Sequence, residues 1–544
     1  MESKRMLKYI AALSIGALAL TACGGGGDGG GGDNEGGGSA DGEMVINAHG
    51  TEPQNPLVPT NTNEVGGGHI VDAIFAGLVS YNTDGSTELE VAESIESEDN
   101  LTWTITLNEG WTFSDGSPVT ANSFVDAWNY GADPENAQLN AYFFNPIEGT
   151  DEEGSSTDGD TLSGLEVIDD LTFEVTLKEA AADFPDRLGY SAYFPLPEVA
   201  FEDMEAFGEQ PVSNGPYVLE EWNHDVEAVL TTNPDYEGNR TPENDGLVFK
   251  FYTDPDAAYT DVQSGVLDIM DQVPPSAIST FQDDGSIQAF TEPGSVNATI
   301  TIPNSLEHFE DGEEGQLRRA AISKAIDREA ITSTIFDDTR TPSTDFASPL
   351  MPDFTEEIEG ADVLEFDAEE AQDLWAQADE LNEFTGTFEL SYNADGAGNR
   401  EWVEAVTNQI RDNLEIDVEP NAFATFSEFR ELITNRNIDT AFRTGWQPDY
   451  PSVYNYIAPV FGTGAGANDG DYSNPDFDAA LTEAASAEDD ETRADILADA
   501  QAILMEDLPA IPLWNQDAIA IAAEGVEGVQ VNWQNQPEYY LVTK

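Results

Sequence analysis

The stretch GWQPDYPSVYNYI, residues 445–457, sets one carboxylate, Asp449, among Trp446, Tyr450, Tyr454 and Tyr456. Pro448 and Pro451 stiffen the backbone on either side of it. Proline fixes its own φ and pushes the residue before it to an extended conformation, and Asp is a common turn and cap residue. One reading of the stretch is therefore a turn. The other is a carboxylate held to receive a cation inside an aromatic-walled pocket. On these residues alone both readings stand.

Other chemistries find no matching pattern. No GK[ST] occurs, so the chain has no P-loop for ATP. His49, His69, His224 and His308 are far apart and lack HExxH or any close ligand spacing, which points to structural or exposed roles and to no metal. No GxSxG elbow is present. Asp469, Asp471 and Ser473 alternate as in a calcium loop, but the twelfth position is Ala480, where a bidentate Glu is required. With 107 acidic residues some carboxylates always lie close together, so pairs of acids carry no catalytic signal. The expectation is a non-enzyme without a cofactor.

The charge balance excludes further classes. Against the 107 acids stand 19 basic residues, a net charge of −88 over 544 residues. Such a surface repels nucleic acid and anionic lipid. Disorder is excluded by 27 Phe, 17 Tyr and nine Trp in a chain that is 40% hydrophobic. The length suggests more than one structural unit. An acid-rich, lysine-poor globular surface is expected of a protein working in high salt.

Lys4, Arg5 and Lys8 precede an apolar run at 10–20, followed by Leu20-Thr21-Ala22-Cys23. A basic region, a short apolar core and small residues describe an export signal over 1–22, and the run is short for a membrane span. Cys23 is the only cysteine, which rules out an intramolecular disulfide. Its LTAC context resembles the lipobox of bacterial lipoproteins, in which the Cys becomes the lipidated first residue. Residues 24–43 are Gly-rich, acidic and without a packing face, a flexible tether reaching roughly 25 Å. The globular part starts near Met44.

Alternation of apolar and polar residues predicts strands at 101–107, 171–177 and 295–302, and at 438–446 leading into the opening stretch. Helical spacing appears at 316–336, 368–381, 400–414 and 491–505. The last carries Ile496, Ala500, Ile503 and Leu504 on one face and ends before Pro509 and Pro512. The mixture reads as α/β or α+β. The acidic segment 151–160 reads as a solvated insertion.

Six segments, in order, resemble the oligopeptide- and dipeptide-binding lipoproteins of ABC importers, the family 5 extracellular solute-binding proteins. They are residues 91–128, SNGPYVLEEW, NPDYEGN, GQLRRAAISKAIDREAI, GWQPDYP, and YSNPDFDAALTEA followed by AQAILMEDLPAIPLW. The resemblance spans about 44–544. It implies a two-lobed, type II periplasmic-binding-protein clamshell with an additional domain on the first lobe. Lobe I would take 44–76, 166–290 and 510–544, the additional domain 77–165, and lobe II 291–509. It also implies a monomer that captures peptides between the lobes. The partners would be an ABC permease and separate ATPase subunits, at the outer face of the membrane that holds its lipid anchor.

In oligopeptide binders the acid of the motif resembling GWQPDYP pairs with the peptide α-ammonium, and Asp449 holds that position. Such a charge-assisted bond ignores sequence, as a generalist requires. The peptide would add as a strand along 443–446, which includes Arg443, Gly445 and Trp446, and along 50–54. Of the second segment the resemblance assigns Glu52, Pro53 and Gln54 to the site, and Tyr450 joins from the motif. Arg443 matches an arginine used for short peptides' carboxylates, Tyr142 is placed at a pocket wall, and Arg400 within reach of a carboxylate. Alternatives are the same fold binding nickel, haem or a sugar, a secreted hydrolase, or a passive surface protein.

Overall fold

The computed structural model describes residues 44–544 apart from 152, 158, 395 and 397. The expected signal 1–22, Cys23 and the tether 24–43 lie outside the described residues. Among the described residues no helix is long and apolar enough to cross a membrane.

The chain opens with β1 (Val45–Gly50) and a two-stranded hairpin of β2 (Val79–Tyr81) and β3 (Thr87–Leu89). A separate antiparallel sheet follows from β4 (Ala92–Glu96), β5 (Thr102–Leu107), β6 (Leu165–Asp169) and β7 (Thr172–Thr176), in the order β4-β5-β7-β6. β5 buries Trp103, Ile105 and Leu107 at alternate positions, the period of two visible in its sequence. The helix Ala121–Ala132 covers this face, with Phe124 and Trp128 at 5.9 and 5.7 Å from the Phe173 ring. β6 starts at residue 165, the expected end of an additional domain, and β7 follows it. Both share one sheet with β4 and β5, Phe173 and Val175 pairing with Ile105 and Trp103. The sheet shares one continuous core with β1 and its neighbours.

The remaining strands are β8 (Tyr217–Asn223), β9 (Glu227–Thr232), β10 (Gly246–Phe251), β11 (Ile269–Met270), β12 (Ile287–Thr301) and β13 (Arg340–Pro342). They continue with β14 (Phe388–Asn393), β15 (Val418–Phe423), β16 (Ala441–Trp446) and β17 (Ala510–Ala523). With β1 they form an eleven-stranded sheet among the described residues, in the order β15-β14-β16-β12-β17-β11-β1-β10-β9-β8, with β13 on β17.

Two long antiparallel strands, β12 of 15 residues and β17 of 14, carry this sheet from one half of the molecule to the other. On one side they pack into the core shared with the additional sheet. On the other they pack into cores built on Ile300, Ile322, Trp402 and Leu513, and on Tyr456, Phe477 and Leu504. Two hydrophobic bodies joined by two strands make the clamshell. The register of β12 against β17 slips between Glu292 and Val296, at Pro293-Gly294. A side chain at Gly294 would put its Cβ 1.9 Å from the Gln516 carbonyl oxygen, so the crossing leaves room for glycine alone.

One helical expectation changes. Residues 316–336 form two helices, Glu313–Lys324 and Arg328–Ile335. Asp327 breaks the run by turning its carboxylate onto the Ala330 N–H, a cap that competes with helix continuation. The other three helices appear as Ala368–Leu381, Asn399–Leu414 and Asp490–Asp507. In the last, Leu497, Ala500 and Leu504 are buried, while Ile496 and Ile503 are only partly covered.

Candidate functional site

The site begins at a strand edge. β16 pairs antiparallel with β12 along its length, from Thr301↔Phe442 to Asn297↔Trp446. On its other side β14 pairs parallel with Ala441 and Phe442 only. Among the described residues no strand covers the outer edge of Arg443, Thr444, Gly445 and Trp446. An edge of unpaired backbone groups is a template for another strand. Gly445 is required by packing, since a Cβ there would lie 2.4 Å from the Asn297 carbonyl oxygen.

After Trp446 the chain turns through Gln447 and Pro448 to Asp449. Asn455, in the helix Val453–Phe461, holds this turn: its Oδ1 accepts the Asp449 N–H at 2.8 Å and the Trp446 indole N–H at 3.2 Å. Its amide N–H reaches the Asp449 carboxylate at 3.3 Å. The turn reading of the sequence is correct for the backbone, and it leaves the half-buried carboxylate pointing into a cavity. Burial pushes its pKa up, opposed by the Asn455 bond and the Arg187 charge. The hydroxyls of Tyr142 and Tyr190 lie in its field, and that of Tyr190, mainly through burial, is held well above the usual tyrosine range.

Two cavities meet at Gln447. One, of about 380 Å³, contains Asp449, Tyr190, Asp72, Arg240 and Glu538. The other, of about 480 Å³, lies along the free edge of β16 and contains Arg443, Gly445, Trp446, Arg340, Trp402 and Trp514. Arg340 lies 5.1 Å from the Phe336 ring, and Arg443 donates to Asn393 Oδ1 at 2.8 Å and sits 5.7 Å from the Phe426 ring. Acids dominate the first cavity, arginines and indoles the second.

Other residues named from sequence fall elsewhere. Tyr450 is buried and turned away from both cavities. Its hydroxyl donates to Asp183 Oδ2 at 2.6 Å, and the Arg187 guanidinium stands 4.9 Å from its ring. Asp183 also takes Arg187 at 3.0 and 3.1 Å. Burial would raise the Asp183 pKa, but Arg187, the Tyr450 hydroxyl and Arg493 outweigh it and hold the acid low. Tyr450 is thus committed to an internal ion pair, because Pro451 and the Ser452 cap fix the chain with this ring inward.

The segment 51–54 leaves the sheet after Gly50. Glu52 binds His224 at 2.9 Å and the Asp225 N–H at 2.8 Å, and Gln54 donates its N–H to Glu64 at 3.3 Å. Glu52, Pro53 and Gln54 line neither cavity. Tyr142 is 48% exposed, with its ring against Phe143 at 4.4 Å. Arg400 is exposed on the helix Asn399–Leu414, and its neighbour Asn399 is the one that reaches the second cavity. Asp72, Tyr190, Arg240, Arg340 and Glu538 went unnamed in the sequence reading. They are single residues from distant segments with no motif around them, so only the fold collects them.

Residues 87–468 match the family described as bacterial extracellular solute-binding proteins, family 5 Middle. The chain is 26% identical to the oligopeptide-binding protein OppA of Bacillus subtilis (strain 168), over 97% of each chain. It is 25% identical to the heme-binding protein A of Haemophilus influenzae, over 84% of each. The unliganded open form of MppA, a periplasmic murein tripeptide binding protein, superposes with a TM-score of 0.83 at 22% identity, covering 92% of this chain and 97% of that one.

Proposed function

The chain belongs to the family 5 bacterial extracellular solute-binding proteins, and from that premise we propose that it captures peptides between its lobes for delivery to an ABC permease. The observation that carries this reading is Asp449: a half-buried carboxylate in a cavity, directly beyond an uncovered strand edge. A peptide α-ammonium supplies the cation the acid lacks, and peptide backbone supplies the strand the edge lacks. With its amino end at Asp449, past the last residue of β16, the peptide runs antiparallel to that strand. Its carboxylate then heads along the second cavity, where Arg340 and Arg443 stand.

Trp402, Trp446 and Trp514 give that cavity apolar walls that bind side chains without demanding a particular one. Nickel, haem or a sugar would leave Asp449 without an ammonium partner, and a relative that binds haem shows that family membership alone does not choose the solute. Delivery would use Cys23 as the lipid anchor on the outer face of the membrane, residues 24–43 as the tether, and ATPase subunits outside this chain. The supports for the anchor are the basic, apolar and LTAC segments of the sequence.

Mass spectrometry of small molecules released from the purified protein tests the reading. Peptides with free amino termini are expected. Haem, metal or sugar in stoichiometric amount, with no peptide, would replace it.

A further inference from the structure

The cavity that holds Asp449 carries more negative charge than one α-ammonium accounts for. Four other acids line it: Glu64, Asp72, Glu90 and Glu538. Glu64 is spent on the Gly67 and Gln54 N–H groups, at 2.9 and 3.3 Å. Glu90 takes the Tyr236 hydroxyl and the Arg240 Nε at 3.3 Å. Arg240 is the cavity's own cation, and it is already committed. Its remaining nitrogens donate to the carbonyls of Asp72 at 2.6 Å and Phe75 at 2.7 Å. Asp72 and Glu538 are left over.

Glu538 is the decisive residue. It is only 7% exposed, and its Oε1 is buried without a hydrogen-bond partner. A buried carboxylate oxygen left unpaired is costly unless something else fills the site. Two more buried polar groups on the same wall lack a hydrogen bond: the Tyr539 hydroxyl and the His69 ring, whose Nε2 stands 3.9 Å from the Asp271 carboxylate. Burial raises Asp72 to about 6, opposed by the Arg240 charge, and Glu538 to about 7, opposed by a hydrogen bond from Asn532 and by Arg240. Tyr190 lies in the fields of both Asp449 and Asp72, and Glu538 lies in that of Asp72.

We propose that this cavity receives a basic side chain on the first residue of the bound peptide, with Asp72 and Glu538 as its acidic partners. The inference rests on the peptide reading and narrows it to peptides that begin with lysine or arginine. A long flexible stem with a charge at its end suits the geometry. The stem lies along Tyr190, Tyr540 and Phe194, and the head reaches Asp72 and the unpaired Oε1 of Glu538. An apolar first residue would fit the volume but would leave the Glu538 Oε1 unpaired.

The test is calorimetric titration with three peptides, Lys-Ala-Ala, norleucine-Ala-Ala and Ala-Ala-Ala, in about 1 M NaCl to screen the outer surface. Norleucine keeps the stem of lysine and removes its charge. The wild-type protein should bind Lys-Ala-Ala about tenfold or more tighter than norleucine-Ala-Ala, a ratio equal to roughly 1.4 kcal/mol. Glu538→Gln and Asp72→Asn should each bring that ratio to within about threefold, with circular dichroism confirming the fold of each variant. Equal affinities for the two peptides in the wild-type protein, with Ala-Ala-Ala still bound, would overturn this pocket and spare the peptide reading. A preference that survives both substitutions would also overturn it. If none of the three peptides binds the wild-type protein, the peptide reading fails and the pocket fails with it.

Discussion

Replacing Tyr450 with phenylalanine separates a ligand contact from an internal strut. The structure assigns the Tyr450 hydroxyl to Asp183, an acid that is 2% exposed, at 2.6 Å. Phenylalanine keeps the ring beneath Arg187 and leaves no cavity, so the change removes one hydrogen bond to a charged group, worth about 1.5–3 kcal/mol. Arg187 still binds both oxygens of Asp183, which favours the lower half of that range. Unfolding entropy of ~2.1 cal/mol/K per residue, over a body of about 500 residues, converts this to a fall in Tm of roughly 1.5–3 °C. Scanning calorimetry measures the fall, and titration with Ala-Ala-Ala should show affinity within about threefold of wild type. An unchanged Tm combined with a tenfold loss of affinity would refute the assignment and return Tyr450 to the ligand.

Three further outcomes are expected. Asp449→Asn should weaken peptide binding by roughly thirtyfold or more, because losing one partner of a desolvated charge pair costs about 2–5 kcal/mol. The amide oxygen can still accept from Asn455, so circular dichroism should not change; a loss under about threefold in titration would reduce Asp449 to a turn residue. The net charge of −88 should make the Tm climb between about 0.1 and 2 M NaCl, as the Debye length shortens from ~10 Å to below ~3 Å, and a flat or falling Tm would refute the high-salt reading of the surface. Asp72 and Asp186, raised to about 6, and Asp345 and Glu538, raised to about 7, bind protons on folding chiefly because burial disfavours their charged forms. Their contribution is fully present below the ordinary carboxylate range and is lost as pH rises through 6 to 7. The Tm at high salt, where surface repulsion is screened, should therefore fall between about pH 5 and 7.5; a rise would contradict it.

The local elements were legible because period and punctuation carry them. TWTITL alternates and forms β5, and AFRTGW forms β16 directly before the proline turn. The single helix expected at 316–336 failed at Asp327, whose cap is a local competitor that periodicity does not register. At the site, the motif placed Asp449, Gly445, Trp446 and Arg443 on the two cavities. It did not foresee that Tyr450 faces inward, because a residue's side depends on what distant segments bring against it, here Asp183 and Arg187. Glu52 lines neither cavity for a similar reason. Its carboxylate is captured by His224 and Asp225, more than 170 residues away in sequence. Asp72 and Glu538 lay hidden among 107 acids, where only burial and, for Glu538, an oxygen without a hydrogen bond distinguish one carboxylate from another.

The proposed function turns on Asp449 receiving a peptide's amino terminus. Titration calorimetry with Ala-Ala-Ala and with its Nα-acetyl form, on the same protein in the same buffer, addresses it most directly. The two peptides share backbone, side chains and carboxylate and differ only in the ammonium. Binding of the free peptide is expected, with a loss of roughly thirtyfold or more for the acetylated one. Equal affinity for both would contradict it.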